Sequence, residues 1–318
     1  MAGLGVLGFI GYCKESSGGV PVAATDYVEA FSENFQLNFD RFVKSNIRGS
    51  IVAPDDISGI KRIAGDITIT GDPVQLGHWL NAACGVQSNT EVLSGVLFSH
   101  EFTLAETDWD DEFAQQPYTF EINRDISSSQ QFSGCNVSGL QFNLTPNNVL
   151  QVTASIIGRS ESNIAKTTPT FTSSPVTPFA FDTASISWGG VEHQLMESLT
   201  IAQNANLEGI ASLRASKDIR AIRRGGPTEV TIAGAMAFEN LTDYLAFANE
   251  TERNLTVHLT RANSFALTIE LPKTVITAYP VGLGGSERVV VDFEGQGRYS
   301  QADGYSVKYT LYNTTSGF

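Results

Sequence analysis

The sequence predicts a mainly β protein made of two tandem modules. Residues 1–165 and 166–318 form the two units, each with one flanking α-helix and a long loop. Three observations carry this reading. At 318 residues the length fits two units of roughly 150. Apolar residues make up 42% and aromatics 10%, while charged residues reach only 17% and Ser, Thr, Asn and Gly are abundant, a mixture suited to strands and turns. The third observation is an internal repeat at a spacing of about 160 residues.

The repeat is read from landmarks in the same order. An alternating strand holds Glu33, Phe35, Leu37 and Phe39 in the first half, and Glu197, Leu199 and Ile201 in the second. A long loop follows in each, closing on Asp56-Ile57-Ser58-Gly59-Ile60-Lys61-Arg62 and on Asp218-Ile219-Arg220-Ala221-Ile222-Arg223-Arg224. Short strands come next, with Ile67 and Ile69 matched by Val230 and Ile232. Leu76, Trp79, Leu80 and Ala83 then fall at i, i+3, i+4 and i+7, one face of a helix, and Leu241, Tyr244, Leu245 and Ala248 repeat the spacing. Both stripes read as core-packing faces, and Asp72-Pro73 reads as N-cap and first helical residue.

Strands fill the rest. Phe120 with Ile122, Leu140 with Phe142 and Leu144, and Leu150 to Ile157 belong to the first half. Leu255 to Leu259, Phe265 to Leu271, Val289 to Phe293 and Val307 to Leu311 belong to the second. Each half ends a strand in Gly-Arg, at Gly158-Arg159 and Gly297-Arg298. The separation from Ala83 to Gly158 is 75 residues and from Ala248 to Gly297 is 49, which implies an insertion of about 26 residues, placed at 93–116. Ser160 to Pro178, rich in Ser, Thr and Pro, reads as the linker.

Composition excludes several classes of function. Twenty Lys and Arg stand against 34 Asp and Glu, a net charge of −14, unsuited to gripping phosphate backbones or anionic membranes. No run of ~18 apolar residues is present, so no membrane insertion is expected. The apolar start from Leu4 to Tyr12 lacks a basic flank and a cleavage site, and is not read as a signal peptide. Cys13, Cys84 and Cys135 are odd in number and widely spaced, which argues against a disulfide framework or a zinc site and for a reducing cytoplasm. Gly3-Leu4-Gly5-Val6-Leu7-Gly8 has the dinucleotide spacing without a strand before it, and reads as a terminal arm.

His78, His100, His193 and His258 are scattered without metal spacing. Glu101, Glu106, Asp108, Asp110, Asp111 and Glu112 lack the glycine and alternation of a calcium loop, and read as a solvated acidic loop within the insertion. Acidity is uneven: 18 acids against 8 bases in residues 1–160, and 16 against 12 in 161–318. No catalytic constellation emerges, so neither an enzyme nor a cofactor is expected.

Several ordered segments resemble the tandem-domain tail tube proteins of long-tailed bacteriophages. They are Tyr12-Cys13-Lys14-Glu15, Glu33-Asn34-Phe35-Gln36-Leu37 and Ile63-Ala64-Gly65-Asp66-Ile67, then Glu197-Ser198-Leu199-Thr200-Ile201, Val230-Thr231-Ile232-Ala233-Gly234, Leu271-Pro272-Lys273 and Asp303-Gly304-Tyr305-Ser306-Val307. The first half departs from the family pattern with Lys61-Arg62-Ile63-Ala64-Gly65 before its post-loop strand.

The resemblance implies that each half is a small β-sandwich or partly closed barrel with one flanking helix, in a virion protein assembled in the host cytoplasm. Three chains would supply the six modules of a ring, and rings would stack into a hollow tube that conducts double-stranded DNA without binding it. Its partners would be further copies of itself and the tape measure, tail tip and terminator proteins. The loops Lys44 to Lys61 and Asn204 to Arg223 become candidate stacking elements, through Arg48, Asp55, Asp56, Lys61 and Arg62 in the first and Arg214, Asp218, Arg220, Arg223 and Arg224 in the second. Deleting residues 49–56 should block tube formation. Polar strand positions, Asp66-Thr68-Thr70 and Thr228-Thr231, are candidates for lining the channel. The alternatives are another tail, baseplate or decoration β-protein, or a carbohydrate-binding β-sandwich. The latter lacks an evident aromatic platform, since Trp79 and Trp188 lie in apolar contexts and Trp109 in an acid run.

Overall fold

The computed structural model of the chain describes residues 3–44, 46–47, 49, 51–52, 55–171, 177–283 and 288–318, with Asn263 as backbone only. The first half begins with β1 (Phe9–Lys14), β2 (Asp26–Val28), β3 (Ala30–Glu33), β4 (Gln36–Val43) and β5 (Asp56–Thr70). Helix α1 (Leu76–Cys84) leads into β6 (Gly85–Leu93) and β7 (Leu97–Leu104), then β8 (Tyr118–Asn123), β9 (Ser128–Leu144), β10 (Gln151–Gly158) and β11 (Ser160–Ala165). The second half runs β12 (Ala184–Trp188), β13 (Val191–Glu192), β14 (Met196–Asn204), β15 (Leu207–Ile210), β16 (Ala221–Arg224) and β17 (Glu229–Ala237). Helix α2 (Thr242–Ala248) follows, then β18 (Arg253–Thr260), β19 (Ala266–Ala278), β20 (Val290–Arg298) and β21 (Lys308–Asn313).

One antiparallel sheet crosses the whole molecule in the order β4–β5–β10–β9–β14–β17–β20–β19. The halves therefore meet as neighbouring strands, with Leu199 of β14 opposite Leu144 of β9 and Asn204 opposite Gly139. Strand alternation gives this sheet two unlike faces. Ile67, Ala154, Phe142, Ile201, Ile232 and Phe293 point into the core. The opposite face carries Asp66, Thr68, Thr153, Gln141, Thr200 and Thr231, placed there by the register that sets Thr153 opposite both Thr68 and Gln141. Hydroxyl and amide contacts run across that face: Thr68 Oγ1 to Thr153 Oγ1 at 3.1 Å, and Thr200 Oγ1 donating to Asn143 Oδ1 at 3.1 Å across the joint between halves.

The pairing scheme of one half recurs in the other. Strands β9 and β19 are long enough to serve two layers. Their first parts belong to outer sheets, β2–β1–β8–β9–β11 and β13–β12–β18–β19–β21, and their last parts pair with β10 and β20 in the inner sheet. Between the layers lies one continuous apolar cluster that includes Trp79, Phe120, Phe132 and Phe142 from the first half and Trp188, Ile201, Val257 and Phe293 from the second. Beside it, Phe113, Ala114, Ala205, Leu207, Ile219 and Ile222 form a smaller cluster.

Several expectations need correction. What the first half has in excess over the second is the β6–β7 hairpin with the loop after it, and this piece pairs across the halves, Tyr309 of β21 lying opposite Phe102 of β7. The segment read as a linker starts as strand, since β11 pairs with β9. Beyond it Thr167 is held by the buried Glu121, whose carboxylate accepts from Thr167 N at 3.2 Å and Oγ1 at 2.9 Å. At the N-terminus Leu4 N donates to Asp125 Oδ2 at 3.0 Å, so the glycine-rich arm is pinned. Thr228 precedes β17, and Thr231 shares the polar face with Glu229 instead.

Asp72 caps the turn into α1, its Oδ1 accepting from Val74 N at 2.8 Å and Gln75 N at 3.1 Å, although regular helix begins only at Leu76. Gly234 marks a close approach of β17 to β14, because a Cβ there would fall onto the carbonyl oxygen of Ser198. Gly234→Ala is expected to cost about 1–3 kcal/mol as overpacking. A urea unfolding midpoint equal to that of the parent chain would contradict this reading of the contact.

Candidate assembly interface

The two loops named from sequence converge at one end of the molecule, and the structure resolves them differently from the expectation. Strand β5 begins at Asp56, so the first loop is 44–55; Arg48 lies outside the described residues, and Asp55 is exposed. Residues 207–224 form a two-stranded hairpin, with Leu207 opposite Arg224 and Ile210 opposite Ala221. Its tip leans on β5 through Lys61 N donating to Lys217 O at 2.8 Å and Lys61 Nζ 3.4 Å from Asp218 Oδ1. Arg214 Nη2 closes the tip on the carbonyls of Asp218 (2.8 Å) and Ile219 (2.7 Å), and the exposed Arg220 donates its backbone N–H to Ile210 O at 2.7 Å.

Arg41 pairs with Asp56 at 2.6 Å, and Arg62 with Asp40 at 3.0 Å. Such exposed pairs are worth little by themselves. The end is not purely polar. Ile47 and Leu213 are fully exposed at 105% and 108%, and Phe42 and Ile51 accompany them. Apolar residues inside Ser-, Asp- and Gly-containing loops were the available sequence signal for this surface.

The acidic segment is solvated at Glu101, Glu106, Asp110 and Asp111, which are all exposed, but it is not a free loop. Its backbone docks on β16, with Ala114 N donating to Ile222 O at 2.8 Å and Ile222 N to Glu112 O at 2.8 Å, which buries Phe113. Its carboxylates meet cations more than 40 residues away in sequence: Asp108 takes Arg223 at 2.9 Å and Arg224 at 3.8 Å, and Glu112 pairs with Arg159. Arg223 also donates to Asp111 O. Asp110 Oδ1 accepts from Glu112 N and Phe113 N, both at 2.7 Å, shaping the turn, while Glu101 on β7 and Glu106 stay exposed. The insertion thus fastens the first half to the second.

Helix α1 buries Leu76, Trp79, Leu80 and Ala83, with Trp79 stacked on Phe120 at 5.9 Å. Helix α2 does the opposite. Leu241 and Leu245 are 57% and 50% exposed, Tyr244 and Ala248 also face outward, and Asp243 is buried. Strand register gives the reason. Ile63 and Val230 each pair with the glycine of the Gly-Arg strand end, so equivalent positions lie 167 residues apart, not the 165 of the apolar stripes. A two-residue slip turns a helix by about 200°.

Asp243, counterpart of Leu76, is satisfied by His193 Nε2 at 3.1 Å and by Arg253 Nη1 at 2.8 Å, while Arg253 lies over the Trp188 ring at 4.4 Å. The hydrogen bonds from His193 and Arg253 hold the Asp243 carboxyl below the usual carboxylate range despite burial. The stabilisation this confers is complete at neutral pH and is lost as pH falls through that lowered value.

Two strand edges stand out at opposite ends of the inner sheet. Strand β4 pairs with β5 on one side only among the described residues, and Phe39, Phe42 and Val43 on it are exposed. At the other end, β9 and β19 carry matching bulges, after which Gly139 faces Ser155 and Ala278 faces Glu294. Residues 139–144 go on to pair with β14. Residues 279–283, the corresponding stretch after β19, form no strand. Sequence reasoning did not identify these edges, because an edge is defined by which strand is missing beside it.

Open strand edges, an apolar loop end and a broad polar sheet face define a structural β-protein. Among the described residues no group of three or more His, Cys, Asp and Glu is placed to hold a metal, and no helix is long and apolar enough to cross a membrane. The family described as phage tail tube protein matches residues 5–297, nearly the whole chain, and the chain belongs to that family: it is a structural tail tube protein of the bacteriophage virion. A comparison with curated proteins finds no match.

Proposed function

We propose that three copies of this chain close a ring of six modules, that rings stack through the loop end, and that the polar face of the inner sheet lines a channel for double-stranded DNA. The joint between β9 and β14 carries the reading. It is a module-to-module contact already made inside one chain, and residues 278–283 with β4 are the two halves of the same contact left unmade. Carrying over the register sets Ala278 of one copy opposite Asn38 of the next. Joining edges around a closed ring removes the pairing hazard of each and ends growth in that plane.

Each chain contributes eight strands to this sheet, so three would form a cylinder of twenty-four. At about 4.8 Å between strands that is about 37 Å between backbones, room for one duplex. The channel-facing side carries mostly Thr, Ser, Asn and Gln, with Asp66, Glu229, Asp292 and Glu294 against Arg62 and Arg298. A wall of neutral polar groups with an excess of carboxylates gives phosphates no site to hold. Tape measure, tail tip and terminator proteins would meet the tube in its lumen and at its ends.

Negative-stain images of purified assemblies test the ring, and an Asn38→Cys, Ala278→Cys chain should cross-link between copies within it. Images without an axial channel, or cross-links confined to single chains, would overturn the reading. Thr153→Lys with Thr200→Lys is expected to leave tubes intact and slow DNA ejection, with recovery at high salt. Ejection at the parental rate would count against a channel lined by this face.

A further inference from the structure

The outward face of α2 is an exposed apolar surface held firmly in place. Buried Asp243, clamped between His193 and Arg253, fixes the helix so that Leu241, Tyr244, Leu245 and Ala248 point away from the core. Tyr244 and Phe247 rest against Tyr279, each at 6.4 Å between ring centroids, so the helix stands directly over the unpaired stretch after β19.

The first half shows what covers this position. With the offset of 167, Tyr244, Leu245 and Ala248 correspond to Gly77, His78 and Asn81 of α1. That face of α1 is covered by the second half: the Phe318 ring lies against Gly77 and 4.9 Å from His78, and Asn81 Nδ2 donates to Phe318 O at 3.2 Å. At the end of the same helix Gln203 of β14 donates to Ala83 O at 3.2 Å. The neighbour across the β9–β14 joint therefore packs on the helix beside that joint.

We infer that the apolar face of α2 is a docking surface for the first half of a second copy of this chain, brought over it when residues 33–38 of that copy, which include the start of β4, pair along residues 278–283. The inference rests on the ring reading above and adds to it a named surface. Continuity with the internal joint selects the occupant. Where β14 brings Gln203 to α1, the matching register brings Leu37 of β4 to the end of α2, with the exposed Phe39 next along the same side of the strand.

Maleimide labelling of Leu245→Cys in a Cys13→Ser background tests this, since Cys84 and Cys135 are buried. The free chain should label readily, and the assembled ring at least tenfold more slowly. Leu245→Asp should fold like the parent, being exposed, and lower ring yield at least tenfold. Rings in which Cys at 245 labels at the free-chain rate overturn this inference and leave the ring reading standing. A parental chain that forms no rings overturns both. Should Leu245→Asp fail to fold, protection of the cysteine variant alone decides.

Discussion

Replacing residues 44–55 by an Asn-Gly turn is expected to leave a folded, soluble subunit and to abolish tube formation. Strand β4 ends at Val43, opposite Asp56, so a two-residue turn can close the hairpin without shifting register. The cut stops before Asp56, which is strand-paired and bonded to Arg41, so that no paired residue is removed, as one would be in the 49–56 deletion named from sequence. Ile47 and Ile51 are fully exposed and contribute nothing to the core of the single chain. On stacking, each buried side chain would return about 1.5–3 kcal/mol, multiplied by the copies in a ring. Ordering each loop residue costs about 1–2 kcal/mol, so a lone pair of rings gains little, and growth favours a template that already presents the partner surface. An unfolding midpoint near the parental value together with loss of tubes in electron micrographs is the expected pair of results. Tubes of normal length from the shortened chain would exclude this loop from stacking.

How much of this was legible in sequence depended on the range of the interaction. Period-two and period-3.6 patterns located β8, β18, β19 and α1, because in each the apolar face is the core face: Leu255, Val257 and Leu259 are all buried. The same reasoning inverted α2. Apolar residues at i, i+3, i+4 and i+7 report a face that avoids water, and the pattern is identical whether the cover is the same chain or another. The inward face there is held by Asp243, whose partners, His193 just after β13 and Arg253 on β18, are not joined to the helix by any local window. The ion pairs of the acidic run were hidden for a related reason. Asp108 and Arg223 are 115 residues apart, and only the docking of Phe113 beside Ile222 brings them together. The duplicated landmarks Lys61-Arg62 and Arg223-Arg224 likewise look equivalent in sequence and take different partners, Asp218 and Asp40 against Asp108.

Gln203→Leu is expected to cost about 3 kcal/mol although the side chain keeps its size. Gln203 is buried on β14 among apolar neighbours, and its Oε1 accepts from Tyr309 Oη at 2.9 Å while Nε2 reaches Ala83 O across the joint. Ala83 O keeps a second donor, Gln115 Nε2 at 2.7 Å, so the loss falls mainly on Tyr309. Burial raises the Tyr309 phenol well above its ordinary value, so it remains a proton donor at every working pH and has no water to turn to. A buried donor left without an acceptor costs about 1–3 kcal/mol, and the lost bonds add to this. Removing the hydroxyl as well should reverse most of the damage. Tyr309→Phe keeps the ring stacked on Phe142 at 5.3 Å, so the double variant is expected within about 1 kcal/mol of the parent, since deleting both partners of a buried hydrogen bond can be nearly neutral. Urea unfolding of the four chains completes the cycle. Strictly additive losses would mean that Gln203 and Tyr309 do not act as a pair.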